Sequence, residues 1–131
     1  MSRVTFRPAT AEDLEAVTGR PQPLRFKGLT ATIDGEVVGV MGFLFRRDGA
    51  VLASAHITDR LRAHPVALHR AGLRLIAWAR AAGVPLVLAA ADPTVERAPA
   101  WLKRLGFAAH PGRARTFAWR PVASDNPPSH R

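Results

Sequence analysis

The chain contains no cysteine and no tyrosine. The first absence excludes a disulfide framework, a thiolate metal site and a cysteine nucleophile. The second removes the phenol as an acid or base. Lysine is almost missing as well: Lys27 and Lys103 are the only two among 19 basic residues, and the rest are arginine. No uninterrupted apolar run approaches the roughly 18 residues of a bilayer-crossing helix. The start, Met1-Ser2-Arg3-Val4-Thr5-Phe6-Arg7, lacks the apolar stretch of a secretory signal. Both point to a cytoplasmic protein with no membrane partner.

What is present suits one folded domain. Of 131 residues, 47% are hydrophobic, enough for one core. Residues 1–121 read as that domain, and the polar, proline-bearing 122–131 as a flexible tail. The formal charge of +9 favours anionic partners. The arginines are scattered among abundant alanine, glycine and proline, the composition that a GC-rich coding sequence produces. They form no basic run of the kind that marks a nucleic-acid patch.

Periodicity and punctuation supply the elements. Val4-Thr5-Phe6-Arg7 alternates like a strand. Thr10 and Asp13 form the two ends of a capping box, with Asp in place of Glu, and open a short helix that Gly19 closes. Leu29–Ile33, Val37–Phe45 and Val51–Ile57 read as a meander turning at Asp34-Gly35 and at Arg47-Asp48-Gly49. Gly39 and Gly42 inside the second strand mark a bulge or a close backbone approach.

Pro65 opens a long helix whose apolar stripe runs through Leu68, Ala71, Gly72, Leu75 and Ala79, with Gly83 just past its end. Val84–Ala90 reads as a strand buried on both faces. A helix starting at Asp92-Pro93-Thr94 carries Ala98, Trp101, Leu102 and Leu105 and ends at Gly106. Phe107-Ala108-Ala109 and Thr116–Trp119 pair around Pro111-Gly112-Arg113. The result is an α/β (α+β) layout: a mixed, mostly antiparallel sheet flanked by helices.

This order and its residues resemble the GNAT (Gcn5-related) N-acetyltransferase superfamily over residues 3–120. Arg7-Pro8-Ala9-Thr10-Ala11-Glu12-Asp13 resembles the family's opening segment. Asp34-Gly35-Glu36-Val37-Val38-Gly39 resembles its second hairpin, and Leu105-Gly106-Phe107 the end of its last helix. The resemblance implies acetyl-CoA as cofactor. It places the cofactor's pyrophosphate on backbone amides of an Arg/Gln-x-x-Gly-x-Gly/Ala loop opening the long helix, where free N–H groups attract phosphate. Here that loop is Arg62-Ala63-His64-Pro65-Val66-Ala67. The expected cofactor-binding residues are therefore Ile57, Arg62, Ala63, His64, Val66 and Ala67. Pro65 stands where the central glycine belongs and has no N–H to give.

The resemblance also implies direct acyl transfer to an amine. That chemistry asks for a base, a backbone N–H at the thioester carbonyl, and often a tyrosine acid. The tyrosine position is Leu102, and the asparagine frequent earlier in that helix falls at Val95. For the base the sequence offers His56, two residues from Ser54 on one strand face, and Asp92 at the end of the buried strand. No residue pattern suits a metal: His64 and His69 are five apart with no third ligand.

Three functional readings follow. The first is an acyl-CoA-dependent N-acetyltransferase acting on a small amine or a protein amine. The second is a binding or structural component on the same fold, similar over Ile57–Phe107 to the degenerate acyltransferase-like proteins of tailed bacteriophages. Its partner would be a second copy or a phage protein, and its location could be the virion. The third is a basic nucleic-acid-binding module.

Overall fold

The computed structural model describes residues 3–21, 25–91 and 97–121. Seven strands form one sheet in the order β1-β2-β3-β4-β5-β7-β6. These are β1 (Val4–Pro8), β2 (Arg25–Ile33), β3 (Glu36–Phe45), β4 (Val51–Ile57), β5 (Val87–Ala90), β6 (Ala108–Ala109) and β7 (Thr116–Trp119). Helix α1 spans Ala11–Thr18, α2 Asp59–Arg62, α3 Pro65–Ala81 and α4 Ala98–Arg104. All pairings are antiparallel except β4 with β5. The mixed, helix-flanked sheet expected from the sequence is the one observed.

The β2–β3 hairpin turns on Asp34 and Gly35, both at positive φ (52° and 81°), the backbone of a two-residue type I′ turn. Just beyond it the register slips between Ala31 and Thr32, leaving Val38 as an extra residue in β3. Farther along, Gly28 faces Gly42. A Cβ on Gly42 would stand 2.3 Å from the Lys27 carbonyl oxygen, so only glycine admits this approach of the two strands. Gly39 and Gly42 thus mark the bulge and the close contact that their sequence positions suggested.

Side-chain alternation gives the sheet two different faces. Leu29, Met41, Phe43 and Val51 point at α3 and pack against Ala71, Leu75, Ile76 and Ala79. Phe43 also stacks on Trp78 at 5.8 Å between ring centroids. Trp119 is buried in the same core. The opposite face carries Thr30 and Val40, both fully buried, and is covered by α1 through Leu14.

Three details depart from the sequence expectation. Strand β2 begins at Arg25, earlier than Leu29. Strand β5 is confined to Val87–Ala90, with Ala90 exposed. The reason lies just upstream, where the Val84 N–H closes α3 on the Ala79 carbonyl (3.0 Å) and Pro85 has no donor for a ladder. The described part of α4 starts at Ala98; the expected start at Asp92–Thr94 lies outside the described residues, as does the expected tail 122–131. Finally, the segment after β4, expected as an open loop, contains the helical turn α2.

The α1 face is organised by one carboxylate. Asp13 accepts both Arg7 guanidinium nitrogens (2.7 and 2.9 Å), the Thr10 N–H (2.9 Å) and the Thr30 hydroxyl (2.9 Å). The Asp13 N–H in turn donates to Thr10 Oγ1, completing the capping box. One side chain therefore ties β1, α1 and β2 together. The Arg7 pair, ahead of the other hydrogen bonds, holds the Asp13 carboxyl well below the usual carboxylate range, against the opposing effect of burial.

Because the folded protein binds that proton less readily than the unfolded chain, the bonds stabilise fully above the ordinary aspartate range. They are lost as pH falls below it. Denaturant titrations from pH 7 down to about pH 2 are expected to show an acid-labile contribution that Asp13→Asn abolishes. At neutral pH that variant is expected to lose about 2 kcal/mol, since Arg7 is half-exposed and part of the ion pair is screened by water.

Candidate functional site

The site begins where the sheet stops being continuous. Strands β4 and β5 pair only at Val51↔Val87 and Leu52↔Leu88. Past that point β4 stays with β3, and β5 stays with β7. The two strands therefore separate, and β4 has an open backbone edge from the Ala53 carbonyl to Ile57. The direction of that edge follows from one bond: the Thr58 N–H donates to the Val38 carbonyl (3.1 Å). Residues alternating with Thr58 also turn their backbone toward β3, so Ala53, Ala55 and Ile57 turn theirs away from it, toward β5.

A cleft of about 990 Å³ lies against this gap. Its floor includes Ala53, Ala55 and Ala89, and α3 and α4 supply its walls. Arg62, Arg70, Arg97 and Arg104 stand along it, and no acidic residue does among the described residues. The guanidiniums give its rim a positive field, while the interior is apolar.

The segment leading into α3 is held at three points. Thr58 Oγ1 donates to the Val38 carbonyl (2.6 Å). Leu61 is 1% exposed and packs with Ala31, Ile33 and Val38. Gly39 leaves room for it, because a Cβ there would come within 2.6 Å of Leu61 Cδ2. On the outside, Arg60 bridges Asp34 and Glu36 at the tip of the β2–β3 hairpin.

The helical turn changes which amides are available. The Ala63 N–H bonds the Asp59 carbonyl (3.2 Å) and the His64 N–H the Leu61 carbonyl (2.9 Å). Of the backbone donors that the sequence placed on a phosphate, Ala63 and His64 are thus engaged inside the protein. Val66 and Ala67, at the first turn of α3 behind Pro65, have no intrahelical partner. Arg62, the expected charged group, lines the cleft and shares its guanidinium with Asp59 (2.9 Å). Ile57 packs beside Leu61, with its backbone toward the cleft.

His56 is exposed, and its Nε2 lies 3.4 Å from Ser54 Oγ. His56 pairs across with Val40, whose side chain sits on the α1 face, and Ser54 pairs with Gly42, two residues on and on the same side of β3. They therefore address the gap from the side opposite α3. Asp92 and Val95 lie outside the described residues. Leu102, at the expected tyrosine position, is buried beside the cleft. Among the described residues no cluster of His, Cys, Asp or Glu has the makings of a metal site.

Several cleft residues were not singled out by their sequence pattern. Arg70 and His69 fall largely outside the apolar stripe of α3, and Arg97 and Arg104 belong to no sequence motif. Their convergence depends on how α3 and α4 lie against each other, which no local pattern encodes.

No protein-family model matches the chain, and no curated protein matches its sequence. Solved structures match its fold. A candidate acetyltransferase from Acinetobacter baylyi superposes with a TM-score of 0.70 and 15% identity, covering 97% of both chains. YncA, a candidate acetyltransferase from Salmonella typhimurium solved with its cofactor acetyl-CoA, gives 0.68 at 16% identity, over 95% of this chain and 97% of that one. The GNAT domain of S. lividans PAT gives 0.61 at 19% identity, over 92% and 90%. At these identities the likeness is one of fold, and the chain has the GNAT fold.

If Leu61 is what pins the approach to α3, Leu61→Ala is expected to cost about 3 kcal/mol of unfolding free energy. Hydrogen exchange should also quicken at Ala63 and His64, whose amide bonds depend on the α2 turn. Unchanged protection at those two amides would show that the segment is held elsewhere.

Proposed function

We propose that the protein is an acyl-CoA-dependent N-acyltransferase that passes an acyl group directly from thioester to amine. The observation that carries this is the parting of β4 from β5 beside an apolar cleft rimmed by arginines. That combination fits a ligand with a long neutral arm and a polyanionic end, and CoA has both. Two cleft nitrogens without a partner among the described residues, His69 Nδ1 and Trp101 Nε1, fit it further. The bound structure of YncA supports the same cofactor by fold alone.

Acetyl-CoA, when bound, supplies an acyl group already activated as a thioester. The residues of this chain then have separable tasks. Val66 and Ala67 offer amides to phosphate, and Arg62 with its cleft neighbours offers charge. The backbone N–H of Ala55, unpaired with β5, can polarise the thioester carbonyl. His56, beside Ser54 on the other side of the sheet, takes the proton from the incoming ammonium. The amine nitrogen then bonds the carbonyl carbon as the carbon–sulfur bond breaks. No tyrosine can protonate the departing thiolate, so water relays to it the second proton that the nitrogen sheds as the amide forms.

A second reading, a binding or structural role without transfer, draws on specific features. Pro65 gives no amide, Ala63 and His64 have spent theirs, and Leu102 has no acid. The sequence likeness of Ile57–Phe107 to phage acyltransferase-like proteins supports that reading alone. The two separate cleanly in one experiment. Titration calorimetry with acetyl-CoA tests binding, and thiol release against a panel of amines tests transfer. Binding with turnover supports the enzyme, binding without turnover supports the second reading, and no binding at millimolar acetyl-CoA excludes the enzyme.

Two variants sharpen the test. His56→Ala is expected to lower kcat about a hundredfold with little change in acetyl-CoA affinity. Pro65→Gly restores an N–H at the start of α3 and is expected to tighten acetyl-CoA binding about fivefold. The same variant should melt at a lower temperature, because glycine gives up the preset helical φ of proline. Opposite signs in affinity and stability are the outcome to look for.

A further inference from the structure

Two polar atoms at the cleft have no hydrogen-bond partner among the described residues. They are His69 Nδ1 on α3 and Trp101 Nε1 on α4, both cut off from water. Both residues line the same cleft. They also belong to the same stretch of its walls. Trp101 Cζ2 lies 3.2 Å from where a Gly72 Cβ would stand, and His69 is one helical turn before Gly72 on the same face of α3. Buried polar atoms are almost always paired, because leaving one unpaired is costly.

The chemistry of the two atoms narrows what would pair them. Indole nitrogen is a donor only and needs an acceptor. Imidazole Nδ1 donates or accepts according to its tautomer. A phosphate offers acceptors only, and the arginines along the cleft already serve it. A secondary amide offers one donor and one acceptor together, and the pantetheine arm of CoA contains two such amides.

Resting on the acyl-CoA reading above, we infer that His69 and Trp101 anchor the amide-bearing arm of the donor thioester. They take over part of the affinity that the phosphate loop has lost. The loop accounting motivates the shift: Pro65 has no N–H, and the Ala63 and His64 amides bond within the protein. Both rings must turn toward the cleft they line for the arm to reach them. Recognition thus moves from backbone amides at the α3 terminus to two side chains deeper between α3 and α4. The donor is then selected by its arm more than by its diphosphate.

The test uses the full chain, His69→Leu, Trp101→Phe, and two ligands in calorimetry. Acetyl-CoA carries the arm; adenosine 3′,5′-bisphosphate lacks it. Each variant is expected to bind acetyl-CoA about fivefold more weakly while binding the bisphosphate as the wild type does. Ligand-free His69→Leu is expected to melt no lower than the wild type, since it removes an unpaired buried atom. Acetyl-CoA affinities within about twofold of wild type overturn the inference, as do equal losses for both ligands. So does a lower melting temperature of ligand-free His69→Leu, which marks a structural role. Failure of the wild type to bind acetyl-CoA removes the acyl-CoA reading itself and this inference with it. Binding that the variants leave intact removes the inference alone.

Discussion

Everything the cleft can do depends on how little joins the two halves of the sheet. Strands β1 to β4 form a continuous antiparallel meander, and β5, β7 and β6 form a second unit. Two residue pairs, Val51↔Val87 and Leu52↔Leu88, connect them. A longer parallel ladder would occupy the backbone of Ala53, Ala55 and Ile57 and close the gap. A shorter one would leave the halves joined only through helix packing. At its start β5 is cut short because Val84 spends its amide on α3 and Pro85 cannot donate. Past Leu88 the strand stays with β7 and leaves β4.

The core keeps the open gap from collapsing. One face of the sheet packs α3 through Leu29, Met41, Phe43 and Val51. The other is pinned by Asp13 to β1, α1 and β2. Met41, Phe43, Leu75 and Ile76 belong both to this core and to the lining of the cleft, so the packing that holds α3 on the sheet also shapes the cleft. Among the described residues, His69 Nδ1 and Trp101 Nε1 are buried there without a hydrogen-bond partner, a stability cost that the rest of the fold offsets.

The turn before α3 shows a second trade. Thr58 and Leu61 fasten it to β3, and the helical bonds of Ala63 and His64 make it rigid. Rigidity here consumes the donors that an open glycine-rich loop would present to an anion. Arginine compensates well, because its charge acts at a distance and its fork is planar and permanently protonated. The scattered arginine excess, unremarkable along the chain, converges on the cleft through Arg62, Arg70, Arg97 and Arg104.

Much of the fold was legible from residues alone. The capping box at Thr10 and Asp13, the Asp34-Gly35 hairpin, Pro65 at the start of α3 and Gly83 past its end are local devices whose physics acts within a few residues. The stripe from Leu68 to Ala79 is equally local, since helical periodicity and burial select it together. The helical turn at Asp59–Arg62 was missed because four residues carry no periodicity. The roles of His69, Arg97 and Trp101 were missed because each depends on a neighbour from another helix. The sequence by itself determined the element order, the caps, the turns and the buried faces, because short-range sterics and hydrogen bonding decide those. Only the tertiary structure decided where β4 leaves β5, which amides remain free and which side chains share the cleft, because those follow from packing between segments far apart in the chain.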